Sequence, residues 1–157
     1  PPLNVIVTGQ GDVDPTERVF QTGEVPVLIV TTGEGADRLR RSGLPAVVRV
    51  AVTDEALDID PQTILDLIVS GQPTDLILLE AGPRLTADFL AARLIDELFL
   101  TLSPQIAGRD MSSPRPGLVA GRVFAPDDPL WGTLVDVRRG GSHLFLRYAL
   151  PRALLAS

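Results

Sequence analysis

Short apolar runs, each closed by turn-forming residues and most of them leading into a helical pattern, constrain this chain more than any other feature. Leu3-Asn4-Val5-Ile6-Val7-Thr8 reads as a short buried strand ended by Gly9-Gln10-Gly11-Asp12. Val27-Leu28-Ile29-Val30-Thr31 is a second run, too short for a helix and rich in β-branched residues. A helical pattern from Gly33 to Arg41 follows, with Gly43 placed to terminate it. Ala46 to Val52 is a third strand candidate, and Leu76-Ile77-Leu78-Leu79 a fourth whose unbroken apolar character predicts burial on both faces. Between these two, Asp60 suits an N-cap, Pro61 the first helical position and Gly71 the residue after the last turn. A helix from about Pro83 to Arg93 comes next, carrying Leu85, Phe89 and Ala92 at helical spacing.

The rhythm then changes. Glu97 to Leu102 reads as a strand stopped by Ser103-Pro104, and Gly108 to Pro116 as a loop. Thr133 to Arg138 and Ser142 to Leu150 read as strands joined through Gly140-Gly141 in a hairpin. Strands alternating with helices, then a terminal hairpin, predict an α/β fold: a mostly parallel sheet flanked by helices, with an antiparallel C-terminal hairpin.

Composition narrows the function classes. The 157 residues suit one domain, and a 45% hydrophobic content argues for a folded core. A formal charge of −6 disfavours a nucleic-acid groove or an anionic membrane surface, and no apolar stretch approaches the roughly 20 residues of a membrane helix. Pro1-Pro2-Leu3 carries no signal-peptide pattern, so a cytoplasmic location is expected. With no cysteine, disulfides and thiolate catalysis fall away, and a single histidine, His143 in a strand, makes a zinc site improbable. Asp96-Glu97 and Asp127-Asp128 are read as strand and turn residues, and Trp131 as core or hairpin packing. No catalytic side chain stands out. Such a chain can still be an enzyme if a cofactor carries the reaction.

In open α/β sheets, ligands bind beyond the carboxyl ends of the strands. Thr8-Gly9-Gln10-Gly11 is one such end. Thr31-Thr32-Gly33-Glu34-Gly35 is another and looks like half of a dinucleotide fingerprint, with Arg38 where a third glycine would stand. The same residues are equally ordinary N-cap and turn chemistry. The third end, Glu80-Ala81-Gly82-Pro83-Arg84-Leu85, runs into a helix whose N-terminal N–H groups favour a phosphate. Gly82 would allow close backbone approach, and Arg84 opposes the helix dipole by a few tenths of a kcal/mol unless an anion sits there. A plain strand-to-helix turn remains the alternative.

The run from Leu78 to Leu85, the later Leu94-Ile95-Asp96-Glu97-Leu98-Phe99-Leu100-Thr101-Leu102-Ser103-Pro104 with Ala107-Gly108, and the ending His143 to Tyr148 resemble a known family. It is the pyrimidine reductase of riboflavin biosynthesis, the C-terminal domain of the bifunctional deaminase-reductase, with a dihydrofolate reductase-like fold. The resemblance implies an NADPH-dependent oxidoreductase that reduces the ribosyl group of a 5-amino-6-(5-phosphoribosylamino)uracil-like substrate to ribityl. It implies Glu80 on the substrate side and Gly82, Pro83, Arg84, Leu85 and Thr86 around the cofactor phosphates. Thr8 and Gly9 match a strand end on the adenosine side, and Thr31 and Thr32 a second. It also implies a phosphorylated pyrimidine substrate, a homodimer, and no nucleic-acid or membrane partner.

Two departures qualify this. The family usually has Glu-Gly-Gly where Glu80-Ala81-Gly82 stands, and its glycine pair is often described as cis, a form costing roughly 2.5–4 kcal/mol outside proline. Family members also begin with a further strand and a Ser-x-Asp-Gly-type segment, so 1–157 is expected to be an N-terminally truncated reductase domain with a sheet edge in need of a partner. The alternatives are a non-catalytic nucleotide-binding or assembly domain on the same fold, or a reductase of another heterocycle.

Overall fold

A strand buried on both faces must be flanked on both edges, and Val27–Thr32 meets that condition. In the computed structural model, which describes residues 1–54, 58–71, 73–108 and 117–151, β1 (Asn4–Val7) and β3 (Arg49–Thr53) lie parallel on either side of β2 (Val27–Thr32). All six residues of β2 are buried, so the burial on both faces that the sequence leads one to expect of Leu76–Leu79 belongs to this strand instead. Ile29 and Val30 are wholly removed from water, which is worth roughly 1.5–3 kcal/mol each. The chain divides into two compact units, Pro1–Ile77 and Leu78–Ser157.

In the first unit, α1 (Arg18–Gln21), α2 (Gly33–Arg41) and α3 (Pro61–Gly71) accompany the sheet. Phe20, Val27, Ile29 and Leu39 form a core cluster, with Ile6 and Val48 packed against it. β3 starts later than the expected Ala46, because Val48 N–H donates to Pro45 O (3.0 Å) and closes a turn there. Gly43 adopts φ 80° just beyond α2, as a helix terminator should. Asp60 caps α3 as expected, its Oδ2 accepting from Thr63 N–H at 3.0 Å. In the loop after β1, Asp14 accepts from the hydroxyl and N–H of Thr16, and these bonds hold its carboxyl below the usual range.

Two glycines join β1 to α2. Gly11 turns with φ 65°, and a Cβ built there would lie 2.2 Å from Gly35 O. A Cβ on Gly35 would meet Thr31 Oγ1 at 2.0 Å, Gly9 O at 2.6 Å and Gly11 N at 2.9 Å. Loop and helix therefore touch backbone to backbone, which only glycine allows.

The expected strand Leu76–Leu79 does not form. No ladder joins it to any strand among the described residues, and Leu76 and Leu78 are 87% and 75% exposed. Extended backbone becomes a strand only where a neighbour supplies partners for its N–H and C=O groups, and apolar character cannot substitute for them.

The second unit holds α4 (Pro83–Ala91), β4 (Glu97–Leu102), β5 (Thr133–Gly140) and β6 (His143–Ala149). Its three strands form an antiparallel sheet in the order β4-β6-β5, so the fold has a parallel sheet with helices plus an antiparallel sheet larger than the predicted hairpin. Within the hairpin, Gly140 pairs with His143, and the turn is Gly141-Ser142 with Gly141 at φ 59°. Alternation and register place Leu98, Leu100, Leu144, Leu146, Leu134 and Val137 on one face. The opposite face carries Glu97, Phe99, Arg147 and Asp136. Arg147 Nε bonds Glu97 Oε2 at 3.0 Å and its guanidinium lies 5.7 Å from the Phe99 ring. The Glu97 bond, then its charge, raises the Arg147 pKa. Both partners are more than a third exposed, so solvent screens the pair and it contributes little to stability.

α4 ends earlier than the expected Arg93. Arg93 N–H donates to Leu90 O (3.1 Å) and Leu94 N–H to Phe89 O (3.1 Å), while Arg93 takes φ 57°. This is a Schellman termination built without glycine. Trp131, expected in the core or hairpin packing, is 79% exposed. The backbone of Gly132 takes the close contact with the last strand instead, with room for a Cβ only 3.3 Å from Ala149 O. Residues 109–116 of the expected Gly108–Pro116 loop lie outside the described residues, while Gly108 itself is irregular.

Asp60→Ala should lower stability in urea unfolding by about 1 kcal/mol. Gly→Ala inside a helix ordinarily stabilises by up to about 1 kcal/mol. Gly35→Ala should reverse that sign and destabilise by about 2–3 kcal/mol because backbone must move. Gly33→Ala, with nothing within 4 Å of its Cβ, is the control and should be close to neutral.

Candidate functional site

The residues singled out in the sequence fall into two groups, one in each unit. In the first, Thr8 and Gly9 follow β1, Thr31 and Thr32 end β2, and Thr53 ends β3, so all stand at the carboxyl ends of parallel strands. Thr31 Oγ1 donates to Thr8 O at 2.6 Å, and Thr32 Oγ1 donates to Gly9 O at 2.7 Å. Thr32 is also the N-cap of α2, its Oγ1 accepting from Gly35 N–H at 3.2 Å. Thr31 and Thr32 are 0% and 2% exposed, so their hydroxyls are committed inside the protein. The turn is closed by Gly11 N–H to Thr8 O (3.4 Å), while the N–H groups of Gly9 and Gln10 have no acceptor among the described residues.

Thr53 pairs with Thr32 in the sheet register and is 6% exposed. Its Oγ1 is buried with no hydrogen-bond partner among the described residues. Sequence reading passed over Thr53, since a threonine ending a strand has no distinguishing pattern. It also passed over the pairing of Gly11 with Gly35. The signal for that pairing was present as Gly-x-Gly after β1 and again after β2.

The second group surrounds the start of α4. Gly82 is the N-cap, with φ −64° and ψ 163° and no side-chain cap, and Pro83 occupies the first helical position. Thr86 N–H donates to Gly82 O (3.0 Å) and Thr86 Oγ1 to Ala81 O (3.3 Å), which ties the turn to the helix. The N–H groups of Arg84 and Leu85 have no acceptor among the described residues, as expected in an uncapped first turn. The Ala81–Gly82 peptide is trans, the cis bond among the described residues being Ala125–Pro126. Ala120 N–H donates to Pro83 O (3.0 Å), bringing the segment after 116 against the helix start.

Glu80 and Arg84 are exposed, and neither makes an ion pair among the described residues. Gly82 differs from Gly11 and Gly35 in one telling respect. Its backbone angles suit any residue, and a Cβ there would meet nothing within 4 Å among the described residues. Packing among the described residues does not require glycine at this helix start.

No group of three or more metal-type side chains occurs among the described residues, and no helix among them is long and apolar enough to cross a membrane. A shallow depression of about 300 Å³ lined by Asn4, Arg18, Val19, Thr22, Glu24 and Val25 adjoins the first residue of β1, not the strand ends described above.

No curated protein matches the chain. Among solved structures, a pyrimidine reductase-like protein from Corynebacterium diphtheriae is similar with a TM-score of 0.71 at 20% identity, over 97% of this chain and 62% of that one. The diaminohydroxyphosphoribosylaminopyrimidine deaminase/5-amino-6-(5-phosphoribosylamino)uracil reductase of Thermotoga maritima matches with a TM-score of 0.71 at 20% identity, over 96% of this chain and 38% of that one. RibD of Acinetobacter baumannii gives 0.70 at 20% identity, over 94% and 37%. The chain thus spans less than two thirds of the length of each of these proteins, and at these identities the likeness establishes the α/β fold. A family model described as RibD C-terminal domain matches residues 1–136, most of the sequence, and the chain therefore belongs to the RibD C-terminal domain family.

Proposed function

We propose that this chain is the cofactor-binding part of an NADPH-dependent pyrimidine reductase of riboflavin biosynthesis, cytoplasmic and homodimeric. In this reading it acts on a phosphorylated 5-amino-6-(5-phosphoribosylamino)uracil-like substrate and takes its ribosyl group to ribityl. The observation that carries the reading is Gly82: a glycine that no packing among the described residues calls for, at the uncapped start of a nine-residue helix. Removing a side chain there serves a group arriving from outside the chain, and a phosphate suits the unpaired N–H groups of Arg84 and Leu85. The Arg84 cation, unfavourable beside the helix dipole, is favourable once an anion is bound.

NADPH, when bound, supplies the hydride. The chain's own residues bind and orient. Backbone from Gly82 to Thr86 would hold the phosphates, with Pro83 fixing the first turn and Thr86 tying it to Ala81 O. The exposed Glu80 carboxylate, next to this turn, would accept hydrogen bonds from substrate. Thr8, Gly9, Thr31 and Thr32 would serve the adenosine side. The reduction also takes up one proton, drawn from solvent in this reading, and the protein's part is to hold the two reactants aligned, itself a large part of catalysis.

Support for a dimer comes from the antiparallel sheet, where Leu134, Val137, Leu102 and Leu144 on one face are each more than a third exposed. Sedimentation should give twice the chain mass, and Val137→Asp should shift it to the monomer. A wild-type monomer at all concentrations would exclude the dimer.

NADPH fluorescence should change saturably on titration with the protein. An absence of binding at millimolar cofactor would overturn the reductase reading in favour of a non-catalytic domain. Gly82→Leu should leave the unfolding midpoint unchanged but weaken NADPH binding at least about tenfold, the equivalent of roughly 1.4 kcal/mol. Unaltered affinity would remove the phosphate from this turn.

A further inference from the structure

Thr31 and Thr32 pose a chemical puzzle, because two consecutive buried hydroxyls donate to two consecutive carbonyls of one short turn, Thr8 O and Gly9 O. A turn presents both hydrogen-bond donors and acceptors, and an anionic ligand is attracted by the first and repelled by the second. Here the acceptors are already engaged. Thr8 O receives Thr31 Oγ1 and Gly11 N–H, and Gly9 O receives Thr32 Oγ1. The N–H groups of Gly9 and Gln10 are left without acceptors among the described residues. We propose that Thr31 and Thr32 are positioning residues which set the polarity of the Thr8–Gly11 turn, engaging its carbonyls inside the protein so that the Gly9 and Gln10 N–H groups serve the phosphate-bearing nucleotide half of the cofactor.

This rests on the cofactor reading above and refines it. The hydroxyls do not touch the cofactor, since both residues are almost fully buried. They act through the turn. Gly11 and Gly35 belong to the same device: a Cβ on either would overlap backbone of the other's segment, so the turn rests on the first turn of α2 with no room to shift. A Cβ on Gly35 would also lie 2.0 Å from Thr31 Oγ1. Thr32 joins the two segments directly, donating to Gly9 O while accepting from Gly35 N–H. One hydroxyl thereby orients the turn and caps the helix.

Two measurements test this. In the wild-type chain, NADPH should slow amide hydrogen exchange at Gly9 and Gln10 but not at Gly11, whose N–H already has an acceptor. Thr31→Val keeps the shape and removes the donor, and should raise the NADPH Kd about tenfold, in line with the loss of one ordering hydrogen bond. Reduced nicotinamide mononucleotide, which lacks the adenosine half, should bind Thr31→Val as it binds wild type. Thr31→Ser keeps the hydroxyl and should restore NADPH affinity to within about twofold of wild type. Two outcomes would refute the role: NADPH binding without protection of Gly9 and Gln10, or a folded Thr31→Val that binds NADPH normally. Equal damage by Thr31→Ser and Thr31→Val would also refute it. The exchange arm needs no variant and decides the matter even if Thr31→Val does not fold. A wild-type chain that fails to bind NADPH at all overturns the reductase reading, and this inference with it, and is recognised by that absence.

Discussion

The parallel pairing of β2 with neighbours on both edges is the constraint from which the first unit follows. Once Val27–Thr32 is enclosed, its last two residues have to satisfy their hydroxyls without water. Threonines placed there reach the nearest free carbonyls, those of the turn leaving β1. That requirement fixes the turn, the turn presses on α2, and the contact admits only glycine at 11 and 35. The strand's burial is thus translated, residue by residue, into the geometry of a strand end.

The two candidate regions are built on opposite physical terms. At the end of β2 every polar side-chain atom named in the interlock has a partner, and two glycines are demanded by close approach. At the start of α4 the helix is uncapped, a glycine stands in open space, and neighbouring charges are unpaired among the described residues. A rigid end and an open end suit different tasks: one holds a fixed backbone surface, the other leaves donors for an incoming group. Thr53 adds a buried hydroxyl without a partner among the described residues beside the rigid end, an expense that a protein rarely carries without cause.

Much of this was legible in the sequence wherever a local rule governed the outcome. The Asp60-Pro61 cap, the Gly43 terminator and the run of β2 all follow from short-range chemistry. The Leu76–Leu79 run departs from its expected strand because strand formation depends on a partner elsewhere in the chain, which no local pattern reports. Trp131 is exposed for a similar reason: hydrophobicity favours burial but does not say which neighbour will offer a pocket. The end of α4 was missed because its terminator is arginine, and the roles of Thr31 and Thr32 could be narrowed only once the distances to Thr8 O and Gly9 O were known.

Arg93 carries a lesson for anyone who would redesign the chain. A left-handed backbone position invites glycine, which would adopt φ 57° with less strain. Yet the same arginine reaches 35 residues ahead and grips Asp128 with two hydrogen bonds of 2.8 and 3.1 Å. Its side chain closes a long excursion of the chain while its backbone closes a helix. A consensus edit to glycine would ease the helix end and unfasten that distant segment, so local idealisation and global tethering pull in opposite directions at a single residue.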